Sequence, residues 1–130
     1  MKIQDLLKKS GYSKKAIEYY LNKVNVGEMK DCDAYSIFTG ICGDTMEFFL
    51  KIESSIIKDA KFQVIGCAGA SASGSALCEM VKGKTLDEAK RINEKDILDH
   101  LGSLPEPKIH CACLATKTLH KAIENYIKNK

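Results

Sequence analysis

The chain has few of the residues and segments that mark fibrous, disordered or membrane proteins. It contains 2 prolines and 9 glycines in 130 residues, which excludes collagen-like and low-complexity classes. No apolar run approaches the roughly 20 residues of a membrane span, and the N-terminal residues carry no apolar signal-peptide core. Its 45% of hydrophobic residues exclude a disordered chain. We therefore expect one cytoplasmic domain over residues 1–130, with residues 1–11 as a flexible N-terminal segment.

The chain also lacks a large excess of charge of either sign, since its net charge is only +3. Residues 1–30 and 117–130 are basic, whereas residues 31–116 are acidic. A nucleic-acid-binding domain would carry a much stronger and clustered basic stripe. We expect no nucleic-acid partner and no membrane association. Tyr12 and its neighbours among the N-terminal lysines are better explained by a solvated amphipathic helix.

Hydrophobic periodicity predicts an α+β domain in which strands precede most of the helices. Two segments alternate apolar and polar residues, as half-buried strands do, and Ser54-Ser55 between them predicts a turn. After Gly66 the pattern becomes helical and stays so, and the short strand connections favour an antiparallel sheet. The predicted strands cover residues 34–40, 45–53 and 57–65, and about five helices cover 13–22, 68–82, a short stretch after Thr85, 93–101 and 107–126.

Cysteine is abundant for a chain expected in a reducing compartment, where metal binding or thiol chemistry is favoured over disulfides. Three of the six cysteines lie at junctions between predicted elements. A helix N-terminus offers free N–H groups and partial positive charge, which favour a thiolate. Cys67 and Cys111 occupy such positions, and Gly43 and Gly66 allow tight backbone nearby. The six cysteines are Cys32, Cys42, Cys67, Cys78, Cys111 and Cys113.

Asp44 and His110 add two further ligand types beside these junction cysteines. In extended backbone, side chains two residues apart face the same way, which places Asp44 with Cys42. Thiolates select zinc, copper(I) or iron–sulfur clusters, and the residues alone leave these open. Three cysteines with a harder oxygen ligand suit a cluster that can be released. Lys108 adds a positive charge near Cys111.

The remaining cysteines and histidines are expected to have structural roles. Cys113 lies about 200° around a helix from Cys111, so we expect it to pack in the core, as we do Cys78. Acidic neighbours should raise the pKa of Cys32 and leave it unreactive. His100 and His120 are expected at the surface.

At these residues the sequence resembles the IscU/NifU-type iron–sulfur cluster scaffold family. The resemblance extends from about Tyr12 to Tyr126 and consists of several motifs in order. They are Asn-Lys-Val-Asn-Val-Gly at 22–27, Cys-Gly-Asp at 42–44, Gly-Cys at 66–67 before a small-residue helix, Val-Lys-Gly-Lys-Thr-Leu-Asp-Glu-Ala at 81–89, and Lys-Ile-His-Cys at 108–111.

The resemblance implies a fold, a function and a ligand set. The implied fold is a small antiparallel sheet packed by helices. The implied function is a scaffold, not an enzyme, on which a [2Fe–2S] cluster is built from iron and from sulfur supplied by a cysteine desulfurase. The cluster is then passed to apo-proteins. The implied cluster site comprises Cys42, Asp44, Cys67, His110 and Cys111, with Lys108, Gly43 and Gly66 around it.

Alternatives remain open beside this interpretation. A zinc-binding sulfur acceptor of SufU type would use the same cysteines, and zinc could occupy a scaffold that holds no cluster. The 44 positions from Cys67 to Cys111 leave no room for the insertion of SufU-type relatives. A thiol–disulfide enzyme is disfavoured because no Cys-x-x-Cys occurs.

The sequence departs from the family at its chaperone-recognition stretch. The family's Leu-Pro-Pro-Val-Lys stands here as Leu-Pro-Glu-Pro-Lys at 104–108. This altered motif leaves an Hsp70-type chaperone open as a partner. The sequence equally leaves open whether the chain forms a homodimer.

Overall fold

The computed structural model describes residues 2–41, 43–102, 104 and 110–129. Three antiparallel strands form one sheet in the order β1-β2-β3, and helices lie before and after them in the chain. The predicted α+β class with a three-stranded antiparallel sheet is confirmed. The elements are α1 Ile3–Lys9, α2 Lys14–Leu21, β1 Ala34–Thr39, β2 Thr45–Glu53, β3 Ile56–Ile65, α3 Ala68–Val81, α4 Leu86–Lys90, α5 Glu94–Leu101 and α6 His110–Lys128.

The sheet buries the face that the alternation predicts. Met46, Phe48 and Leu50 of β2 are fully buried, as is Phe62 opposite Phe48 on β3. Burying side chains of this size contributes about 1.5–3 kcal/mol each. Phe49 points to the opposite face, where it is covered by the Tyr35 ring at a centroid distance of 5.2 Å. The core therefore lies between one face of the sheet and the helices.

Helix α3 packs more closely on the sheet than an ordinary amphipathic helix could. All residues from Gly69 to Cys78 are buried. A Cβ atom added at Gly74 would lie 2.5 Å from the Phe62 ring, so only glycine allows this approach. The run of small residues after Cys67 thus brings the N-terminus of α3 against the end of β3.

Helix α6 packs across the same face and is anchored to the edge strand β1. Apolar residues between Cys111 and Ile123 form its buried stripe. The Ser36 hydroxyl donates to the Thr118 carbonyl at 2.5 Å, a buried bond between strand and helix. Together α3 and α6 bring their first turns to one end of the sheet.

Short helices complete the fold, and most begin with a side-chain cap. Ser13 caps α2, and reciprocal capping boxes start α4 at Thr85 and α5 at Asn93. The described part contains six helices rather than about five, because residues 3–9 form α1. None of the helices in the described ranges combines the length and the apolar character that crossing a membrane requires.

Candidate metal centre

Two of the predicted cysteines meet where α3 and α6 begin. Cys67 is the N-cap residue of α3, with extended backbone at φ −86° and ψ 172°. Cys111 is the second residue of α6 and is fully buried. Their Sγ atoms are 3.4 Å apart. A tetrahedral metal with bonds of about 2.3 Å sets two sulfur ligands roughly 3.8 Å apart, so both thiolates can reach one metal ion after a small adjustment.

Asp44 and His110 lie beside this cysteine pair. Potential ligand atoms of Asp44, His110 and Cys111 all lie within 4.8 Å of one another. Nε2 of His110 is 3.8 Å from Sγ of Cys111. The imidazole is exposed, the carboxylate is half-buried and Cys111 is buried. The group therefore offers soft and hard ligands at the boundary between core and solvent.

A tight turn between β1 and β2 carries Asp44 to the site. The Gly40 N–H donates to the Asp44 carbonyl at 2.9 Å, and the Gly43 N–H donates to the Gly40 carbonyl at 3.0 Å. Gly43 has φ +86°, a conformation that favours glycine. A Cβ atom at Gly66 would lie 2.6 Å from Cγ of Asp44. Both glycines of the predicted site thus allow the Asp44 carboxylate to lie close to the Cys67 segment.

The N-terminus of α3 gives the site a positive potential. The main-chain hydrogen bonds of α3 begin with the one that the Ser71 N–H donates to the Cys67 carbonyl, at 3.1 Å. The N–H groups of the first turn have no partner within their own helix and favour negative charge at this end. A thiolate at Cys67 is therefore placed where the backbone stabilises it.

Tyr12 lies near the two cysteines, a position that the sequence analysis missed. It precedes α2 and is buried, so the expected solvated helix is wrong for this residue. Burial raises the pKa of Tyr12, as do the charges of Cys67 and Cys111, while a hydrogen bond from the Gly69 backbone lowers it in part. The sequence signal was weak, because Tyr12 stands outside any helical period.

Two predicted site residues fall outside the described residues. Cys42, which we expect to supply the third thiolate, and Lys108 both stay predictions. Gly43 and Asp44, directly after Cys42, are described and lie at the site. Leu104 is the only described residue of the altered chaperone motif, and it is buried.

Cys113 is not packed in the core as the helix geometry predicted. It is half-buried and lines a cavity of about 130 Å³ that Asp44 and His110 also line. The rotation of about 200° from Cys111 does direct it away from the Cys67–Cys111 pair. Gly40, Ile41 and Asp44, however, line the same cavity and so lie over that side of α6.

Cys78 and Cys32 behave largely as the sequence predicts. Cys78 is fully buried, and desolvation raises its pKa well above the usual value. The pKa of Cys32 is raised, and burial is the largest cause. A backbone hydrogen bond lowers this pKa, while the charges of Asp33 and Asp31 raise it further, as the sequence predicts. Neither residue lies in the group around Cys111.

The two other histidines are half-buried, so their expected surface positions are wrong. Nε2 of His100 and the Tyr19 hydroxyl share a hydrogen bond of 2.9 Å between α5 and α2. Nε2 of His120 is buried and makes no hydrogen bond to another described residue. Neither belongs to the group of potential ligands found in the described ranges.

Comparisons with known proteins agree with the motifs. The family model described as NifU-like N terminal domain matches residues 11–130. The iron-sulfur cluster assembly scaffold protein IscU 1 of Archaeoglobus fulgidus is 40% identical over 118 residues, covering 90% of this chain and 77% of its own. The iron-sulfur cluster assembly protein IscU of Plasmodium falciparum is 44% identical over 120 residues, covering 88% of this chain and 73% of its own.

The fold is also similar to that of a solved structure. The N-terminal part of a nitrogen-fixing NifU-like protein from Brucella abortus superposes with a TM-score of 0.76. It is 19% identical and the match covers 95% of this chain and 99% of that one, so the likeness concerns the fold alone. With the family match over residues 11–130, this chain belongs to the family of NifU-like N-terminal domains.

Proposed function

We propose that this chain is a scaffold on which a [2Fe–2S] cluster is assembled from iron and desulfurase-derived sulfur and then transferred to apo-proteins. The observation that carries this proposal is the 3.4 Å approach of the Cys67 and Cys111 sulfurs, beside Asp44 and His110. Cys42, which precedes Gly43 and Asp44 in the sequence, is the proposed third thiolate. Relatives over most of the chain are named as scaffold and assembly proteins.

The ligand set suits a cluster that is cargo rather than a permanent cofactor. Iron–sulfur clusters that stay in place are usually held by four cysteines. A carboxylate is a harder ligand that suits such a site less well than a thiolate. An exposed imidazole and a half-buried carboxylate also leave one side of the site accessible to an incoming donor or acceptor.

Each proposed ligand has a separate part in assembly. The Cys67 thiolate lies at the N-terminus of α3, where an incoming sulfur-bearing group meets the positive end of the helix. Cys111 is fully buried and holds the side of the site against the core. Asp44 attracts ferrous iron by its charge, and His110 is the alternative fourth ligand at the exposed side.

The second candidate is a zinc-binding sulfur acceptor of SufU type. The same group of Asp44, His110 and Cys111 provides ligand types that zinc accepts. In that role zinc would stay bound while a cysteine receives sulfur. The two candidates differ in whether iron and sulfide accumulate on the chain.

The test is anaerobic reconstitution of the full chain with ferrous iron, cysteine, a cysteine desulfurase and a dithiol reductant, which reduces the persulfide sulfur to sulfide. Iron, acid-labile sulfide and visible absorption are measured on wild type and on Cys67→Ala, with Cys32→Ala as the matched control. We expect Cys32→Ala to carry as much iron and as much sulfide as wild type does. Cys67→Ala should lose most of both.

Two results would overturn the proposal. Normal cluster formation on Cys67→Ala would show that the ligand assignment is wrong. Stoichiometric zinc, persulfide on the wild-type chain and no sulfide-containing cluster would favour the zinc-binding sulfur acceptor instead.

A further inference from the structure

A groove runs along the end of β3, next to the segment that leads into Cys67. Its volume is about 620 Å³, and residues 63–65 of β3 form one wall. Leu21 of α2 and Ile3 of α1 line it from the other side. The groove is separate from the group of potential metal ligands, none of which lines it.

The backbone of β3 is unpaired along this groove. The Phe62 N–H donates to the Asn25 carbonyl at 3.1 Å, and the Gly27 N–H donates to the Phe62 carbonyl at 2.9 Å. Phe62 therefore directs its polar groups away from β2. Along a strand of an antiparallel pair, residues alternate between pointing their N–H and C=O at the partner strand and away from it. Val64, two residues after Phe62, therefore also points its N–H and C=O away from β2. Within the described ranges, no hydrogen bond satisfies either of them.

A strand-like segment already occupies the neighbouring position on this edge. Residue Val26 forms a parallel bridge with Phe62. The chain then leaves the edge at Gly27, where φ is +151°. The sheet is thus extended beside Phe62 and left open beside Val64, which is the arrangement that accepts an added strand.

Exposed apolar side chains surround the open edge. Ile65 is 81% exposed, Ile3 52% and Val26 40%. All three line the groove. Clustered exposed apolar side chains next to unpaired backbone are typical of a docking site, since a partner would bury both together.

The charges near the groove favour an acidic occupant. Lys23 lines the groove, and the Lys61 side chain lies near Gly27. Neither lysine forms an ion pair with another described residue. Glu47 also lines the groove, where its carboxylate accepts a hydrogen bond from the Tyr35 hydroxyl and keeps its negative charge. Two lysines against one carboxylate leave these three groups with a net positive charge.

We propose that the open edge of β3 binds a short extended segment of a partner protein by strand addition. The segment has apolar side chains at alternate positions and acidic residues at its flanks. Main-chain bonds to Val64 supply affinity, and the apolar groove and the two lysines supply specificity. Because β3 ends at Ile65 and Cys67 follows two residues later, the bound segment lies beside the cysteine site.

The test is selection of random ten-residue peptides displayed on phage against the cluster-free full chain. We expect enriched peptides to alternate apolar residues and to carry acidic flanks. A fluorescein-labelled copy of the most enriched peptide is then measured by fluorescence anisotropy. Val64→Pro removes one edge N–H without touching the pairing to β2, and should weaken binding about tenfold.

Ile65→Lys keeps the test decisive if Val64→Pro fails to fold, because its side chain is outside the core. Ile65→Lys should weaken peptide binding as strongly as Val64→Pro does. Ile127 is an exposed isoleucine on α6, so Ile127→Lys should leave peptide binding unchanged. Charge reversal of Lys23 and Lys61 should weaken binding and remove most of its salt dependence.

Three outcomes would overturn the proposal. One is the absence of enriched peptides, and another is binding that neither Val64→Pro nor Ile65→Lys changes. The third is self-association of the wild-type chain through this edge in sedimentation, abolished by Ile65→Lys, which would assign the groove to a second copy. None of these measurements uses iron or sulfur, so they are independent of the proposed scaffold function.

Discussion

Asp44 is placed at the site by two glycines that leave room for its carboxylate. Gly43 makes the turn before it, at φ +86°, and Gly66 lies directly against the carboxylate group. Side chains larger than hydrogen at position 66 would displace Asp44 before they touched either cysteine. The position of the hard ligand is therefore determined by neighbours that bind no metal.

Replacement of Asp44 by alanine should make the cluster more persistent and its transfer slower. The carboxylate is the weakest ligand for iron in a sulfur-rich site, and its loss lets His110 or a small thiol take the free position. We expect transfer to apo-ferredoxin to slow by about tenfold, the scale on which changes around a metal alter its binding. The measurement is the transfer rate, followed by visible circular dichroism, together with cluster lifetime in air.

A second variant separates the position of Asp44 from its presence. Gly66→Ala keeps the carboxylate but forces it away, since the new Cβ would lie 2.6 Å from Cγ of Asp44. It should change transfer in the same direction, and should add little in the Asp44→Ala background. Equal transfer rates and lifetimes in wild type and Asp44→Ala would show that Asp44 is only a turn residue.

At the scale of elements, the sequence predicted the order and type of the helices and strands better than the burial and local conformation of their residues. The alternation in residues 45–53 predicted β2 to the residue, because one face is core and the other is open. Ser54 and Ser55 form the predicted turn, yet both have positive φ, at 53° and 63°. Nothing in serine itself indicates that conformation, which is usual for Asn and Gly.

Helical periodicity failed where neighbouring loops determine the environment. The angle between Cys111 and Cys113 on α6 was inferred correctly, but Gly40, Ile41 and Asp44 enclose a cavity at Cys113 that no helix pattern contains. Helix α3 buries nearly its whole circumference, whereas a helix at a protein surface buries one face. Its small residues are consistent with burial, but only the path of the surrounding chain decides it.

The contact of α3 with β3 predicts the cost of adding one carbon at Gly74. The Cβ of Gly74→Ala would lie 2.5 Å from the Phe62 ring, in a core that cannot yield freely. We expect the free energy of unfolding to fall by about 1–3 kcal/mol, measured by urea denaturation. Ser75→Ala on the same helix is the matched control, because the Ser75 hydroxyl is buried without a hydrogen bond among the described residues.

That control should leave stability unchanged or slightly raised, since it removes an unsatisfied hydroxyl at little loss of volume. An unchanged midpoint for Gly74→Ala would mean that α3 can move away from the sheet. In that case the N-terminus of α3, and Cys67 with it, would not be fixed by the packing of Gly74 on Phe62.

At the scale of the whole molecule, α5 connects α2 to the helices α3 and α6 that pack on the sheet. The His100 and Tyr19 rings stack at a centroid distance of 5.9 Å, and the Ser13 hydroxyl donates to the Leu101 carbonyl at 2.6 Å. Both contacts join residues more than 80 positions apart in sequence. Because α2 also packs on α3, this junction couples the N-terminal region to the elements that carry Cys67.

The titration of His100 should make stability depend on pH in a defined window. Burial lowers the pKa of His100 below its usual 6.5, as does the nearby charge of Lys15, while Glu79 acts in the opposite direction. Below pH 6.5 the unfolded chain therefore binds a proton that the folded chain resists. The free energy of unfolding should fall as pH decreases from 7 through the folded pKa. Glu79 and Glu88 have pKa values lowered from 4.5, so their own contribution is lost only at lower pH.

The measurement is urea denaturation of wild type and His100→Gln at closely spaced pH values between 7 and 5. Glutamine keeps a hydrogen-bonding side chain toward Tyr19 but cannot titrate, so the difference between the two proteins isolates His100. We expect the wild-type chain to lose more stability than the variant across this range. Parallel curves would mean that the α2–α5 junction accepts the charged imidazole as readily as solvent does, and that acid destabilises this fold through its carboxylates alone.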